Sequence, residues 1–417
     1  MALGNLLVDL RPLRRSVPFR RLWAGNSISG IGSAMAAFTV TWLVWSRTHS
    51  AAAVGAIGLA QLVPMIVFTL LGGHWADRYD RRTLIVAVRW AQLAAAAAMT
   101  VTALTTTHAV WGFYLLIAVE SALVSISQPV TQAFVATLLD GELRSAALAL
   151  NHTAGQVTVL LGPLAAGLLL AAAGPGWALV FNTLSFSAAL YGVFGLPRHD
   201  ASGTSDAKEQ SRADAPSPLA QIAAGIRFVT RTPIVAALLL ADLNATVLAM
   251  PVALFPVLNA ERFGGSPTTL GLLAPALGLG GVLAGFLSGR ITRARRQGLV
   301  MVVASAVWGL GIMGAGLVPG LPAVLALLAV TGAADVASVV SRASIIQAVT
   351  PDGYRGRVSA LDFLVGAGGP KLGDLRAGFV AQATSGWFSM AIGGAVSAVL
   401  AVVIAGAVPA LRRYRAG

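Results

Sequence analysis

Twelve long apolar stretches occupy most of this chain and constrain its fold more than any other feature. Each is long enough to form a membrane-spanning helix, which needs roughly 20 apolar residues. Only 11% of the residues are charged, whereas soluble globular domains carry about 25%. A water-soluble core cannot explain that deficit over 417 residues, because a soluble protein must still cover a wetted surface. The chain is therefore predicted to be an integral membrane protein.

The twelve stretches are predicted to be helices, because a helix satisfies its own backbone hydrogen bonds in lipid. A membrane β-barrel would need segments of about 10 residues with alternating polarity, and these stretches are apolar all round. The predicted fold class is an all-α integral membrane protein with 12 transmembrane helices. The predicted spans are 22–45, 52–73, 84–106, 110–137, 145–173, 177–196, 234–258, 267–290, 298–318, 321–346, 358–381 and 387–409.

The net charge of +13 is attributed to membrane topology rather than to nucleic-acid binding. If both termini lie on one side of the membrane, 25 of the 29 Lys and Arg residues lie on that side. The opposite loops hold only Arg47 and Arg262, and Lys371 and Arg376 lie within the eleventh span. The positive-inside rule therefore places both termini in the cytoplasm. The arginine-rich N-terminus is predicted to precede a retained first span and not a cleaved signal peptide.

The sequence contains two similar halves separated by a polar linker. The motif at 73–78 has a counterpart at 285–290, an offset of 212, and 161–167 matches 372–378 at an offset of 211. Repeats at nearly one spacing indicate two six-helix halves in the same orientation. Within the linker, the apolar spacing of residues 219–228 predicts a short surface helix. The predicted domains are an N-terminal half (1–196), a cytoplasmic linker (197–233) and a C-terminal half (234–417).

The loop after the second span contains a compact charged motif. Residues 73–82 read Gly-His-Trp-Ala-Asp-Arg-Tyr-Asp-Arg-Arg. This resembles the signature Gly-x-x-x-Asp-Arg-x-Gly-Arg-Arg of the major facilitator superfamily, and the resemblance extends over essentially the full chain. The one departure is Asp80, which replaces the second Gly of the signature. It predicts a less permissive turn that carries an additional charge.

Three further segments point to one branch of that superfamily. Gly162, Pro163 and Gly167 form a partial version of the fifth-span motif associated with proton-coupled antiporters. The segments 350–358 (TPDGYRGRV) and 372–374 (LGD) resemble the drug and siderophore exporter branch, similar to the enterobactin exporters. The resemblance implies a secondary active transporter of the bacterial inner membrane that exports a drug-like compound or a siderophore by proton antiport. The alternatives are a metabolite importer or symporter, and a non-transporting receptor or scaffold.

The resemblance also implies a cytoplasmic gate at the signature motif. In the superfamily, the Asp and Arg of this motif hold one half of the protein against the other in the outward-facing state. Charge-assisted hydrogen bonds of this kind break when the halves rock apart. A charge run that only fixed the topology would explain the Arg residues but not Asp77. The predicted gate comprises Gly73, Asp77, Arg78, Arg81, Arg82, Asp140, Glu142, Arg355 and Arg357.

Acidic residues inside predicted spans are candidates for proton coupling, because an ionisable group there costs about 2.5–3.5 kcal/mol on insertion scales. Glu120 is the first candidate, since it lies near the middle of the fourth span with no basic residue near it in sequence. Asp374 and Asp242 are further candidates. Lys371 lies one turn from Asp374 and is a candidate ion-pair partner that would keep this carboxyl charged.

Other interpretations of these acids stay open. Asp242 is predicted either to contact substrate or to cap an unwound segment near Pro251. Asp335 lies seven residues, two helical turns, from Arg342, which favours a structural ion pair between them. Asp362 lies about one turn inside its span, within reach of the cytoplasmic interface.

The substrate cavity is predicted to include Trp23, Asn26, Gln128 and Asn244. The sequence contains no phosphate-binding loop, its five His residues lack metal-ligand spacing, and it has no Cys. The chain is therefore predicted not to be an enzyme and to need no cofactor beyond a proton gradient. Its predicted partners are a small-molecule substrate and the bilayer, without nucleic acid, and it is predicted to act as a monomer.

Reporter fusions test the predicted orientation. Alkaline phosphatase is active only where its disulfides form, outside the cytoplasm. It is expected to be active when fused after His49 or Arg262 and inactive when fused after Arg144 or at the C-terminus. Green fluorescent protein at the C-terminus is expected to fluoresce. An active phosphatase at the C-terminus would contradict the cytoplasmic location of that end.

Overall fold

The structure, a computed structural model, describes residues 9–105, 110–196, 218–286, 289, 291 and 293–415. These residues are almost entirely helical, as lipid requires of a chain that must satisfy its own backbone. The first helices are α1 (Arg11–Arg15), α2 (Val17–Thr48), α3 (Ala51–Arg78), α4 (Arg81–Thr105), α5 (Trp111–Leu138), α6 (Gly141–Ala173) and α7 (Pro175–Phe194). They are followed by α8 (Pro218–Arg231), α9 (Pro233–Ala249), α10 (Phe255–Arg262), α11 (Pro267–Phe286), α12 (Gln297–Leu317), α13 (Leu321–Val349), α14 (Asp352–Ala383), α15 (Gly386–Ala407) and α16 (Pro409–Arg413).

Eleven segments in the described part of the chain are long and apolar enough to cross a membrane. They correspond to α2–α7, to the broken segment Pro233–Arg262, and to α11, α12, α13 and α15. The predicted span 358–381 lies in α14, which has 32 residues but carries four charged residues between Asp362 and Arg376. The predicted all-α membrane fold is confirmed. Helix α14, the predicted eleventh span, is a charged helix and is not one of the eleven apolar segments, so the count of twelve spans stays a prediction.

The chain divides into two compact units. The first contains Met1–Leu43 and Val63–Asp214, and the second contains Val44–Leu62 and Ala215–Gly417. The second unit therefore includes the C-terminal end of α2 and the start of α3, which the sequence division at the linker assigned to the N-terminal half. Gly55 and Gly58 of α3 explain this grouping, because both lie directly against the backbone of α14.

The core of the first unit forms where α4 packs against α5 and α7. Small residues allow the neighbouring helices to approach closely, as expected where lipid gives no hydrophobic drive for helix association. A side chain at Gly25 of α2 would overlap the carbonyl of Ala188 in α7, and one at Gly162 of α6 would overlap Ala34 of α2. One buried cluster of this region comprises Leu22, Ile85, Val130, Phe134, Val193 and Leu196.

The helices of the second unit are also closely packed. Its helix α13 lies against α11 and α12, and α12 lies against α15. A side chain at Gly280 of α11 would overlap the carbonyl of Ala329 in α13, and one at Gly332 of α13 would overlap the carbonyl of Leu277 in α11. These helices therefore contact each other backbone to backbone.

The seventh predicted span is interrupted near its C-terminal end. Helix α9 ends at Ala249, a 3-10 turn follows at Val252–Leu254, and α10 begins at Phe255. Pro251 lies immediately before the turn. Proline has no backbone N–H to continue the helical ladder, so the interruption lies where the sequence places the proline.

The linker helix predicted over 219–228 is confirmed as α8 (Pro218–Arg231). It packs against the start of α14, where Phe228 stacks on Tyr354 with ring centroids 4.7 Å apart. Gly225 lies against Arg357 and Leu361. The rest of the predicted polar linker, 197–217, lies outside the described residues.

Substitution of Gly280 tests the close contact between α11 and α13. Gly280→Ala is expected to destabilise the protein by about 1–3 kcal/mol, because its new methyl group would displace the Ala329 carbonyl. The matched control is Gly285→Ala on the same helix, where nothing lies within 4 Å of the added atom. Gly→Ala in an open helical position stabilises by about 1 kcal/mol. Thermal unfolding in detergent should therefore shift in opposite directions, and equal shifts would contradict the contact.

Candidate functional site

The signature turn between α3 and α4 has a simple local structure. Asp80 precedes α4, and its Oδ2 accepts hydrogen bonds from the Thr83 N–H at 2.8 Å and the Thr83 hydroxyl at 2.7 Å. Its carbonyl accepts the first helical bond, from the Leu84 N–H at 2.9 Å. Asp is among the preferred residues at this capping position. The residue that departs from the signature is thus the N-cap of the following helix.

The structure describes the side chains of three other predicted gate residues of the first unit: Arg81, Arg82 and Asp140. Arg82 donates from Nη2 to the Phe194 carbonyl at 3.0 Å, which ties the start of α4 to the end of α7. Arg81 is half-buried. Asp140 is exposed before α6 and borders a cavity of about 430 Å³ together with Arg11 and Arg15. The side chains of the remaining predicted gate residues lie outside what the structure describes: Gly73, Asp77, Arg78 and Glu142.

The gate residues of the second unit make local contacts. Arg355 forms an ion pair with Asp352 at 2.7 Å, between two exposed side chains. The guanidinium of Arg357 lies over the ring of Tyr354, 5.4 Å from its centroid. The gate therefore stays a prediction in both units.

Glu120 lies in α5, about 14 Å from the N-terminal end of that helix at Trp111, at 1.5 Å per residue. Its Oε1 atom is buried and accepts no hydrogen bond from the described residues. The neighbouring Ser125 hydroxyl donates to the Ser121 carbonyl of the same helix, at 2.8 Å. A buried carboxylate oxygen without a donor is costly while charged, so this group is suited to binding a proton.

Arg89 of α4 is a buried charge that sequence reasoning assigned to topology. Its side chain donates from Nη2 to the Asn26 amide oxygen at 2.7 Å and from Nη1 to the Gln92 amide oxygen at 2.8 Å. Among the ion pairs of the described residues, none includes Arg89. The available signal was that Arg89 and Gln92 lie about one turn apart within 84–99, a stretch of α4 that is otherwise apolar. Asn26, predicted to line the cavity, thus holds this guanidinium.

The remaining predicted cavity residues lie in different surroundings. Trp23 is half-buried, and its indole Nε1 is buried without a hydrogen-bond partner among the described residues. Gln128 is exposed. Asn244 is buried in the second unit, where its amide donates to the Ser397 carbonyl at 2.9 Å. Their role in substrate binding stays a prediction.

A buried ion cluster occupies the second unit. Arg342 of α13 pairs with Asp242 of α9, and its Nη1 lies 3.4 Å from Oδ1 of Asp362 in α14. The predicted partner of Arg342 was Asp335, and among the described ion pairs none joins these two residues. Sequence proximity on α13 favoured Asp335, whereas the packing of α9 and α14 brings the other two carboxylates to the guanidinium.

Asp374 and Arg376 of α14 contact the interruption between α9 and α10. Asp374 Oδ1 accepts the Ala253 N–H at 3.1 Å. Arg376 donates from Nη2 to the Leu248 carbonyl at 2.6 Å. Backbone groups released by a broken helix need such partners in a membrane. The capping role considered for Asp242 therefore belongs to Asp374. None of the described ion pairs joins Asp374 to its predicted partner Lys371.

The antiporter-type motif lies within α6, whose interior contains Pro163. Gly162 and Gly167 are both buried, and Gly162 brings α6 against α2. In this structure the motif shapes helix packing in the first unit. Among the described residues, no group of three or more His, Asp or Glu residues is arranged to hold a metal ion.

Comparison with known proteins agrees with this architecture. Residues 8–416 match the protein family described as transmembrane secretion effector. The chain is 24% identical over 409 residues to the enterobactin exporter EntS of Shigella boydii serotype 18, covering 98% of this chain and 96% of that protein. It is 27% identical over 370 residues to the multidrug efflux pump Tap of Mycolicibacterium fortuitum, covering 85% and 87%.

A solved structure shares the fold. The crystal structure of a POT family transporter in complex with 5-aminolevulinic acid matches with a TM-score of 0.74, covering 95% of this chain and 97% of that one, at 9% identity. Identity this low carries the fold and nothing about the substrate.

Two substitutions of Asp374 separate its hydrogen bond from its charge. Asp374→Ala removes the acceptor for the Ala253 N–H and is expected to destabilise the protein by about 1–3 kcal/mol. Asp374→Asn keeps an acceptor oxygen and is expected to unfold close to the wild-type temperature. Thermal unfolding of the purified protein measures both. Equal losses in the two variants would contradict the capping role.

Proposed function

This chain belongs to the transmembrane secretion effector family of the major facilitator superfamily, and we propose that it exports an amphipathic small molecule by proton antiport. The proposed substrate is a drug-like compound or a siderophore. The proposed location is the bacterial inner membrane, with both termini in the cytoplasm. The names of its relatives support export over import, since they are an enterobactin exporter and a multidrug efflux pump.

The observation that carries the coupling proposal is the buried carboxyl oxygen of Glu120. A coupling group must exist in both protonated and ionised forms during each cycle. Asp242 and Asp374 were also candidates, but the first pairs with Arg342 and the second accepts the Ala253 N–H. Those contacts favour a structural role for both, whereas Oε1 of Glu120 has no such partner among the described residues.

The proposed cycle uses charge to select the orientation of the transport pathway. Protonation of Glu120 removes its charge and favours one orientation, whereas substrate binding favours the other. The cytoplasmic gate formed by the signature motif limits access to the transport pathway from the cytoplasm while the protein is in the outward-facing state. Asp80 supports this role indirectly, because its capping bonds fix the start of the helix that carries Arg81 and Arg82.

Transport into inside-out membrane vesicles tests the coupling. In such vesicles an exporter moves substrate into the lumen while protons leave, so an acidic lumen is expected to drive uptake. Glu120→Gln fixes the neutral form and is expected to abolish the uptake driven by the pH gradient. Exchange of labelled for unlabelled substrate, which needs no net proton movement, is expected to persist.

The control and the pH profile make this test specific. Glu209→Gln changes the same residue type in the polar linker and is expected to transport as the wild type does. Wild-type transport should be slower at both extremes of pH, where Glu120 stays in one form, and the profile should be flat for Glu120→Gln. Gradient-driven uptake by Glu120→Gln at the wild-type rate, with the same pH profile, would refute the coupling role. Dyes, antibiotics and catecholate siderophores form the substrate panel.

A further inference from the structure

A cavity of about 430 Å³ lies at one end of the first unit, where the N-terminal segment meets the turn between α5 and α6. The apolar segment of α5 ends at Val135, so the cavity is at the membrane surface. Glu120 lies about 27 Å from the end of α5, so the cavity is separate from the group proposed for proton coupling. The residues that line it include Arg11, Arg15 and Ser16 from the N-terminal segment and Leu138, Asp140 and Leu143 from the turn.

Apolar packing fixes the walls of this cavity. Phe19 of α2 and Leu139, which follows α5, belong to one buried cluster. Leu13 of α1 and Leu143 of α6 pack against that cluster. The short helix α1 is thereby held against the start of α6. A cavity whose walls are already packed binds a ligand at a lower cost in ordering.

The surroundings of the cavity are positively charged. Residues 9–21 contain five Arg and one Asp, a net charge of +4, and residues 138–145 contain two acids and one Arg, a net charge of −1. Arg11 already pairs with Asp9 at 2.7 Å. Arg15 is exposed, and among the described ion pairs none includes it. The cavity therefore offers the guanidinium of Arg15 to an anionic group.

Apolar side chains accompany the same arginines. Leu10 and Val17, on either side of α1, are 47% and 43% exposed, and Leu138 and Leu143 are half-buried at the cavity. Exposed apolar and basic side chains on one segment are typical of chain that lies at a membrane surface, where acyl chains contact the first and lipid phosphates the second. The matching ligand therefore carries both an anionic group and acyl chains.

Asp140 adds a requirement for a hydrogen-bond donor. Its side chain is exposed, forms no capping hydrogen bond at the start of α6, and takes part in none of the described ion pairs. A carboxylate accepts hydrogen bonds and repels a second anion. A phosphate bound at Arg15 is therefore most stable beside Asp140 when the ligand also presents a donor to that carboxylate.

We propose that this cavity binds an anionic phospholipid with a hydroxylated headgroup, of the phosphatidylglycerol type. Its phosphate contacts Arg15, its glycerol hydroxyls donate hydrogen bonds to Asp140, and its acyl chains lie against Leu138 and Leu143. Phosphatidylethanolamine also carries a donor, but it is zwitterionic and would leave the positive charge around the cavity unbalanced. The bound lipid would join the segment that leads into the first span to the turn that carries the predicted gate residue Asp140.

Native mass spectrometry of the purified full-length protein tests the site, because it counts the lipid molecules bound to each protein molecule. When dioleoylphosphatidylglycerol is added to the delipidated protein in detergent, one molecule is expected to bind before all others. Arg15→Gln is expected to raise the dissociation constant of this first lipid at least about fivefold, as the loss of one basic residue at an anionic lipid predicts. Arg14→Gln is the matched control, because Arg14 has the same charge on the same helix but does not line the cavity.

Competing ligands identify the chemistry of the occupant. Dioleoylphosphatidylethanolamine is expected to bind more weakly than dioleoylphosphatidylglycerol. Glycerol phosphate, which has the phosphate but no acyl chain, is expected not to compete. Dioleoylphosphatidic acid lacks the glycerol hydroxyls of the headgroup and is expected to bind the wild type less tightly, and Asp140→Ala is expected to lose this preference.

Each comparison has an outcome that contradicts the proposal. Equal weakening by Arg14→Gln and Arg15→Gln would show a diffuse surface charge instead of a site. Equal binding of the zwitterionic lipid would contradict the anionic headgroup, and competition by glycerol phosphate would contradict a lipid as the source of the phosphate. A wild type that binds no first lipid ahead of others would also overturn the proposal. Thermal unfolding of both arginine variants at the wild-type temperature excludes misfolding as the cause of weaker binding.

The lipid test is independent of the transport test. Glu120→Gln is expected to bind dioleoylphosphatidylglycerol as the wild type does, even though it loses gradient-driven uptake. If Glu120→Gln transports normally while Arg15→Gln loses the first lipid, the coupling proposal fails and the lipid site stands. The reverse pattern removes the lipid site and leaves proton-driven export in place.

Discussion

Hydrocarbon offers no hydrogen bonds, so each polar group that this chain carries into a bilayer must find its partner within the protein. Helices meet that requirement for most of the backbone. Where Pro251 interrupts the seventh span, side chains from another helix take over: Asp374 accepts a released N–H, and Arg376 donates to a released carbonyl. The charged character of α14, unusual for a spanning helix, follows in part from this task. Asp374 and Arg376 supply hydrogen bonds that the interrupted backbone cannot form within its own helix.

The same requirement divides the ionisable groups into two classes. Asp242 has a guanidinium partner and Asp374 has a backbone partner, so both side chains already have a structural role. Arg89 is held by two neutral amides. Glu120 and Asp335 form none of the described ion pairs. A charged group that already has a partner within the protein gains little free energy by binding a ligand. A buried carboxyl without such a partner is where a proton gains most by binding.

The sequence predicted the elements well and the partners poorly, for a physical reason. Apolar length identified the spans, and apolar spacing identified α8, because both depend on neighbouring residues. The proline predicted where the seventh span breaks. Partners of buried charges depend on which helices pack together. Arg342 was matched to Asp335 on its own helix, yet its partner Asp242 lies about 100 residues away in sequence. Arg89 was assigned to topology although it lies inside the predicted span 84–106, because its partner Asn26 comes from another helix and is set by packing.

The glycine contacts of the second unit have a mechanical consequence. Gly280 and Gly332 bring the main chains of α11 and α13 together with no side chains between them. Interfaces cushioned by side chains adjust through rotamer changes, whereas main chains in direct contact have no such freedom. These two helices are therefore expected to move together as one rigid body. Conformational changes within this unit would then occur mainly where a helix is interrupted, as at the turn Val252–Leu254. The hydrogen bonds of Asp374 and Arg376 to the backbone at this interruption would accordingly determine how easily it bends.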